Sequence, residues 1–326
     1  MATYKGTKGF TVQILASDPT STDTPGLLFF NSTDNEFKYV RPGGASAGTW
    51  ASGGDLGTAR AAMGFSSNGT QAAALAFGGN ELPGISNKNE SYNGTAWSEI
   101  AELNTARGAG GSFGIQTASL FSCGFTDANE TTLVANVESW NGTSWAEVTE
   151  MNTPRFNSTG FGIITAGLIA GGNEPTASNK TELWNGSGWT EVSGNLNTAR
   201  SNDAGFGIVT AGILAGGSTT ESWNGTSWSE VAELTTARTQ GRGAGTQTSG
   251  LVFSGSPAPP NGALTESWDG TSFTEVADLA TSRRKGGGSG TSSAALYFGG
   301  QGSPPKFTAT EEWTAPDVVI KTVTDS

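Results

Sequence analysis

The chain has 326 residues, a net charge of −12, 14 % charged residues, 49 glycines and 10 tryptophans. That acidity disfavours a nucleic-acid partner, no apolar run is long enough for membrane insertion, and the evenly spaced aromatics argue against disorder. Histidine is absent and Cys123 is the only cysteine, which removes Ser-His-Asp and Cys-His catalysis, His-based metal sites and any internal disulfide. No cofactor or metal is expected.

Residues 1–45 differ from the rest. Met1–Phe10 has no apolar core of a secretory signal. Phe10–Leu15 alternates as a strand, Ser17–Pro25 is a polar loop, and Leu27–Phe30 with Phe37–Val40 flank a turn over Asn31–Glu36. The segment is too short to bury a core and is expected to be a docking arm.

From Trp50 a repeat begins. Its most regular stretch is Glu221-Ser222-Trp223-Asn224-Gly225-Thr226-Ser227-Trp228, with relatives at Tyr92–Trp97, Trp140–Trp145, Trp184–Trp189 and Trp268–Phe273. Asn-Gly predicts a hairpin with a two-residue type I′ turn, setting Trp223 opposite Thr226 and Glu221 opposite Trp228, with both indoles on one face. An arginine follows ten residues after the second aromatic: Trp50 to Arg60, Trp97 to Arg107, Trp145 to Arg155, Trp228 to Arg238 and Phe273 to Arg283. Trp189 to Arg200 is one longer, and a β-bulge near Gly194 is the expected cause. Two small, apolar segments come next, as in Ala204–Val209 and Ala211–Gly217. Cys123 lies in such a segment and reads as a buried, reduced thiol.

Four short strands recurring every ~45 residues predict an all-β, six-bladed β-propeller of four-stranded blades. The Ala/Gly strands suit the crowded axis and the aromatics the spaces between blades. The ends interlock. Residues 46–313 form the propeller, and the strand of Trp50 completes the last blade beside Glu311-Glu312-Trp313, which keeps the Glu-x-Trp phase of Glu138, Glu182, Glu221 and Glu266. A rival register would use Phe37–Val40 in place of the Trp313 strand. In the tail, 314–326, Val318–Val323 reads as a strand that pairs with Phe10–Leu15 or with a neighbouring subunit.

Because all six units carry the arginine at one phase, its expected role is to bond backbone carbonyls or a carboxylate between blades; Glu99, Glu147, Glu191, Glu230 and Glu275 fall under the same logic. The tryptophans are expected to be core, since each aromatic buries about 150–250 Å². The Asn-x-Thr/Ser sequons at Asn93, Asn141, Asn185 and Asn224 follow from turn chemistry. Individuality lies in the loops after the glycine doublets, which range from Ser218–Thr220 to Asn80–Asn89, Thr126–Val137, Asn173–Lys180, Ser256–Thr265 and Gln301–Thr310. All lie on one face of a propeller, and loops carry specificity. The candidate partner-binding residues are Asn80, Glu81, Asn87, Lys88, Asp127, Asn129, Glu130, Asn173, Glu174, Asn179 and Lys180. No catalytic residue is assigned.

The order Gly171-Gly172, Trp184-Asn185, Trp189, Arg200 resembles the kelch repeat of β-propellers over residues 46–313. It departs in using Trp-Asn with a tight Gly turn, and in placing Cys123 and Ser254 at doublet glycines. The stretch Gly26–Thr33 with Phe37–Tyr39 resembles hairpins near the start of bacteriophage tail-fibre and other virion appendage proteins. Together these imply a kelch-like virion structural protein, a tail fibre or capsid decoration without enzymatic activity, assembled in the host cytoplasm. It would dock to other virion proteins through residues 1–45, form a homo-oligomer and bind a host-surface glycan or protein. The alternatives are a carboxylate-only glycan-processing enzyme and a cytosolic kelch-type interaction module.

Overall fold

The computed structural model describes residues 12–18, 27–42, 47–81, 83–257, 261–302, 305–316 and 318–322. The expectations for Met1–Thr11, for most of the Ser17–Pro25 loop and for Val323 lie outside them, as do those for Gly26 and parts of the loops from Asn80, Ser256 and Gln301. The described residues form strands joined by turns, with one short 3-10 turn at Asn261–Ala263, and no helix among them is long and apolar enough to cross a membrane. Two compact units divide at Thr49/Trp50 and Thr314/Ala315.

The smaller unit is one four-stranded sheet. Leu28–Asn31 and Glu36–Pro42 form the expected hairpin, closed by Asn31 Oδ1 accepting from the Thr33 and Asp34 amides. Gln13–Leu15 adds to it in parallel on one side. On the other side Val318–Thr322 pairs antiparallel with Glu36–Pro42, not with the Phe10–Leu15 segment. Arm and tail therefore share one sheet. The hairpin's second strand still has a free edge, and the seven-residue Glu36–Pro42 gives the tail a longer partner than three-residue Gln13–Leu15. Buried Lys38 bonds Asp18 and Asp34 at the side of this sheet.

The larger unit contains six four-stranded antiparallel sheets. In strand order, the first is Gly64–Phe65, Ala74–Phe77, Asn89–Tyr92 and Trp97–Ile100; the second is Gly111–Ile115, Ala118–Ser122, Val137–Trp140 and Trp145–Val148. The third is Thr159–Ile163, Ala166–Ala170, Thr181–Trp184 and Trp189–Glu191; the fourth is Ala204–Ile208, Ala211–Gly216, Thr219–Trp223 and Trp228–Val231. The fifth is Arg242–Thr246, Ser249–Phe253, Thr265–Trp268 and Phe273–Glu275. The sixth is Gly287–Gly290, Ala294–Phe298 and Thr310–Thr314, with Thr49–Ser52 as its fourth strand. Phe37–Val40, the rival for a place in this sheet, lies in the smaller unit.

The first strands lie side by side in sequence order, and Gly64–Phe65 also touches Gly287–Gly290. Glycine makes that approach feasible: a Cβ on Gly205 would sit 2.3 Å from Thr159 Cγ2 of the neighbouring strand. Apolar clusters fill the space between successive sheets. Leu75, Phe77, Phe121, Trp140 and Trp145 join the first and second, and Phe298, Leu296, Tyr92 and Trp97 join the sixth and first. This arrangement is that of a β-propeller.

The hairpins are wider than Asn-Gly predicts. Trp223 pairs with Trp228 and Glu221 with Glu230, so the loop has four residues and not two. Among its residues Gly225 alone has a positive φ, +95°. Asn224 instead uses its side chain, Oδ1 accepting from the Thr226 amide and hydroxyl and from the Ser227 amide. That Asx-type turn competes successfully with type I′ because Thr and Ser follow the glycine. The indoles still share one face, as a directly opposed pair with centroids 5.2 Å apart. Gly194 lies beyond the strand Trp189–Glu191, so the extra residue sits in a connection and not in a ladder bulge. Cys123 is buried after its strand at φ +56°, its thiol pushed up to about 11 by burial.

Candidate functional site

Each repeated arginine is buried, and each pairs with the glutamate two residues before the third strand's aromatic in the sheet it precedes, a Trp in five sheets and Tyr92 in the first. Nitrogen–oxygen distances are 2.6 Å for Arg60–Glu90, 3.3 Å for Arg107–Glu138, 2.8 Å for Arg155–Glu182, 3.5 Å for Arg200–Glu221 and 2.9 Å for Arg283–Glu311, with Arg238–Glu266 the sixth. Carbonyls complete the set, as where Arg60 donates to Gly78, Lys88 and Ala76. The glutamates accept backbone amides as well: Glu138 from Asn104 and Thr105, Glu311 from Ala280. Each amide belongs to the segment arriving from the previous sheet, so the pair welds neighbours together. Glu99, Glu147, Glu191, Glu230 and Glu275 occupy the cross-strand position opposite these acids. They do not pair with the arginines within 4 Å; Glu147 accepts from Asn136, and Glu191 lies 3.8 Å from Lys180.

The variable-loop candidates are largely occupied by their own loops. Glu81 lies 3.7 Å from Lys88, whose ammonium also donates to Thr58. Asn87 donates to Glu102, and Asn80 pairs its backbone with Ala61. The third sheet repeats the scheme: Lys180 contacts Glu174 at 3.2 Å and donates to Thr153, while Asn179 donates to the Leu196 carbonyl. Glu174 also reaches Arg155 at 3.4 Å, and Asn173 pairs with Phe156. Asp127 organises its loop through the amides of Asn129, Thr131 and Thr132, and these bonds, Thr132's first, hold its carboxyl down at about 2. Glu130 adopts φ +60° in the same turn. These groups build loops before they offer contacts.

The loops border a second set of residues that sequence reasoning did not select. Two positions after each repeated arginine stand Ala62, Ala109, Asn157, Asn202, Gln240 and Lys285, all with φ between +51° and +64°. Their backbones form a closed cycle. Ala109 N donates to Ala62 O, Asn157 to Ala109, Asn202 to Asn157, Gln240 to Asn202, Lys285 to Gln240, and Ala62 to Lys285, at 2.6–3.0 Å. This rim lies at the ends of the first strands where the variable loops begin, since Asn80 Oδ1 would touch a Cβ on Gly108 at 2.6 Å. Ile85 and Leu133 from two of those loops pack on Ala62, Ala109 and Phe125.

Within the rim is a small cavity of about 40 Å³, reached by Asn157, Asn202, Asp203, Arg242 and Lys285. One connection departs from the pattern. In the first sheet the turn between first and second strands is enlarged, and Asn68 reaches across: its amide donates to Gly114 O, its Nδ2 to Gly207 O, and its Oδ1 accepts from Gly162 N. One residue thus ties to three other sheets, two of them through its side chain.

Arg242 is unlike the six paired arginines. Its Nε donates to Gly286 O, its Nη1 to Gly241 O, and the guanidinium lies 5.2 Å from the Phe65 ring centroid. Among the described residues no carboxylate lies within ion-pair distance of it. Burial pushes Arg242 and Lys285 below their ordinary values, Glu130 partly opposing this at Lys285. Burial also raises the Asp203 carboxyl to about 6, against the pull of Arg200 at 3.1 Å. The signal was present in the repeat phase. Four residues after the repeated arginines stand Gly64, Gly111, Thr159, Ala204, Arg242 and Gly287, and only Arg242 is charged. No group of acidic and cysteine residues among those described could hold a metal ion. No protein-family model matches the chain, and a search of curated proteins finds no match.

Proposed function

We propose that the larger unit is a closed, six-bladed, kelch-like propeller serving as a non-enzymatic display platform, and that the chain is a structural protein of a bacteriophage particle, a tail fibre or capsid decoration. The carrying observation is the division of labour among polar groups. The repeated Arg and Glu residues are consumed by one another and by backbone amides, while unpartnered polar chemistry collects at the rim bordered by the variable loops. A host-surface glycan or protein would meet that end. The smaller unit would dock to other virion proteins or to further copies, a role its exposed Ile14, Phe37 and Tyr39 suit.

Mass spectrometry of purified particles from the source tests the placement: high copy number supports it, and absence of the chain from particles removes it. Screening the protein against glycans tests the platform. Retention without cleavage is expected, and hydrolysis of any glycan would replace this reading with the carboxylate-only enzyme.

A further inference from the structure

We infer that the axial cup takes a single carboxylate group, entering from the variable-loop end and held by Arg242 Nη2 and the Lys285 ammonium. The inference deepens the display reading, on which it rests for the bearer of that group, an acidic sugar.

An arginine cannot shed its charge at any ordinary pH, and a charge drawn partly out of water, as half-buried Arg242 is, favours a counter-charge. Arg242 has only two backbone carbonyls and an aromatic face, and among the described residues its Nη2 has no hydrogen-bond partner. The Lys285 ammonium likewise makes no hydrogen bond or ion pair among the described residues. The other charges nearby do not neutralise the two. Asp203 is engaged by Arg200, Glu130 acts on Lys285 only at long range, and Arg284 adds a further positive charge. A chain of net charge −12 therefore keeps a positive spot at its axis, where the surrounding acidity would repel an anion unless a specific site received it.

Size narrows the class. A cavity needs roughly 10–15 Å³ to hold one water, so about 40 Å³ suits the three heavy atoms of a carboxylate and leaves the sugar ring outside the mouth. The Asn157 and Asn202 amides line the same space and can donate to the second oxygen.

Saturation-transfer NMR at fixed chloride, titrating sodium glucuronate, sodium acetate and glucose against the full chain, tests this. Glucuronate should saturate a single site and glucose should give no transfer. Affinity for glucuronate should fall at least tenfold in Arg242→Gln and about threefold in Lys285→Gln. The second variant alters a half-buried side chain that makes no bond, so it reports even if the first fails to fold. Acetate binding as tightly as glucuronate supports the cup while showing that the sugar contributes nothing, which counts against the glycan reading alone. No saturable carboxylate signal, glucose binding equal to glucuronate, or unchanged affinity in both folded variants overturns the inference.

Discussion

Arg107 and Arg242 lie in the same unit, the first fully buried and the second half-buried, and they do different things. Arg107 meets Glu138 and the carbonyls of Asn136 and Phe121, and five other arginines repeat that pattern. Arg242 stands where the other sheets have Gly, Thr or Ala, and has no acid. A charge that obeys the repeat is part of the joint between sheets. One that breaks it is free to act on something outside the chain.

Mutating the two arginines sharpens that contrast most. Arg107→Met should cost about 3–5 kcal/mol in denaturant unfolding, because it leaves Glu138 buried and unpaired. Arg242→Gln should be neutral or stabilising, since it removes a half-buried cation that lacks a counter-charge. Equal losses in the two would break the comparison.

Next in size is a pH effect at the cavity wall. With the Asp203 carboxyl at about 6, the folded state holds this proton more tightly than the unfolded chain does. The resulting stabilisation is complete below the ordinary carboxylate range and is lost as pH rises through about 6. The stability of Asp203→Asn relative to the native chain should therefore improve by up to about 3 kcal/mol between pH 4 and pH 7. Unfolding midpoints across that range would measure it, and a flat difference would place the proton elsewhere.

A smaller effect comes from the one sheet whose fourth strand begins with Phe. Trp228, Trp97 and Trp50 donate to Thr181, Thr310 and Thr265 of the preceding sheet. At the fifth sheet Phe273 has no donor, and the Thr220 hydroxyl of the fourth is buried without a partner. Phe273→Trp should restore the bond and raise stability by about 1 kcal/mol, as read from the thermal midpoint. Smallest should be Lys88→Ala. Its contact with Glu81 is half exposed and 3.7 Å long, so the loss should stay under about 1 kcal/mol in chemical unfolding.

Much of the frame was legible because it is local and repeated. The Trp and Arg phases, and the strand of Trp50 placed beside Trp313, follow from spacing alone. The hairpin register did not, because Asn224 chose between a backbone turn and a side-chain turn according to the hydroxyls beside it. The tail's partner was misjudged because the edge of Glu36–Pro42 leaves no trace in periodicity. The variable loops were legible as positions but not as free chemistry. Glu81 and Lys88 look available in one dimension and find each other in three.

The order of residues alone determined that this is an all-β chain of repeated four-strand units with its indoles and arginines at set phases, because hydrophobic spacing and turn residues act over a few neighbours. Which side chains meet at the axis was decided only by folding. Asp203, Arg242 and Lys285 are distant in sequence and come to the same cavity through the packing of separate sheets. Whether a buried charge is paired depends on that convergence, and no local pattern records it.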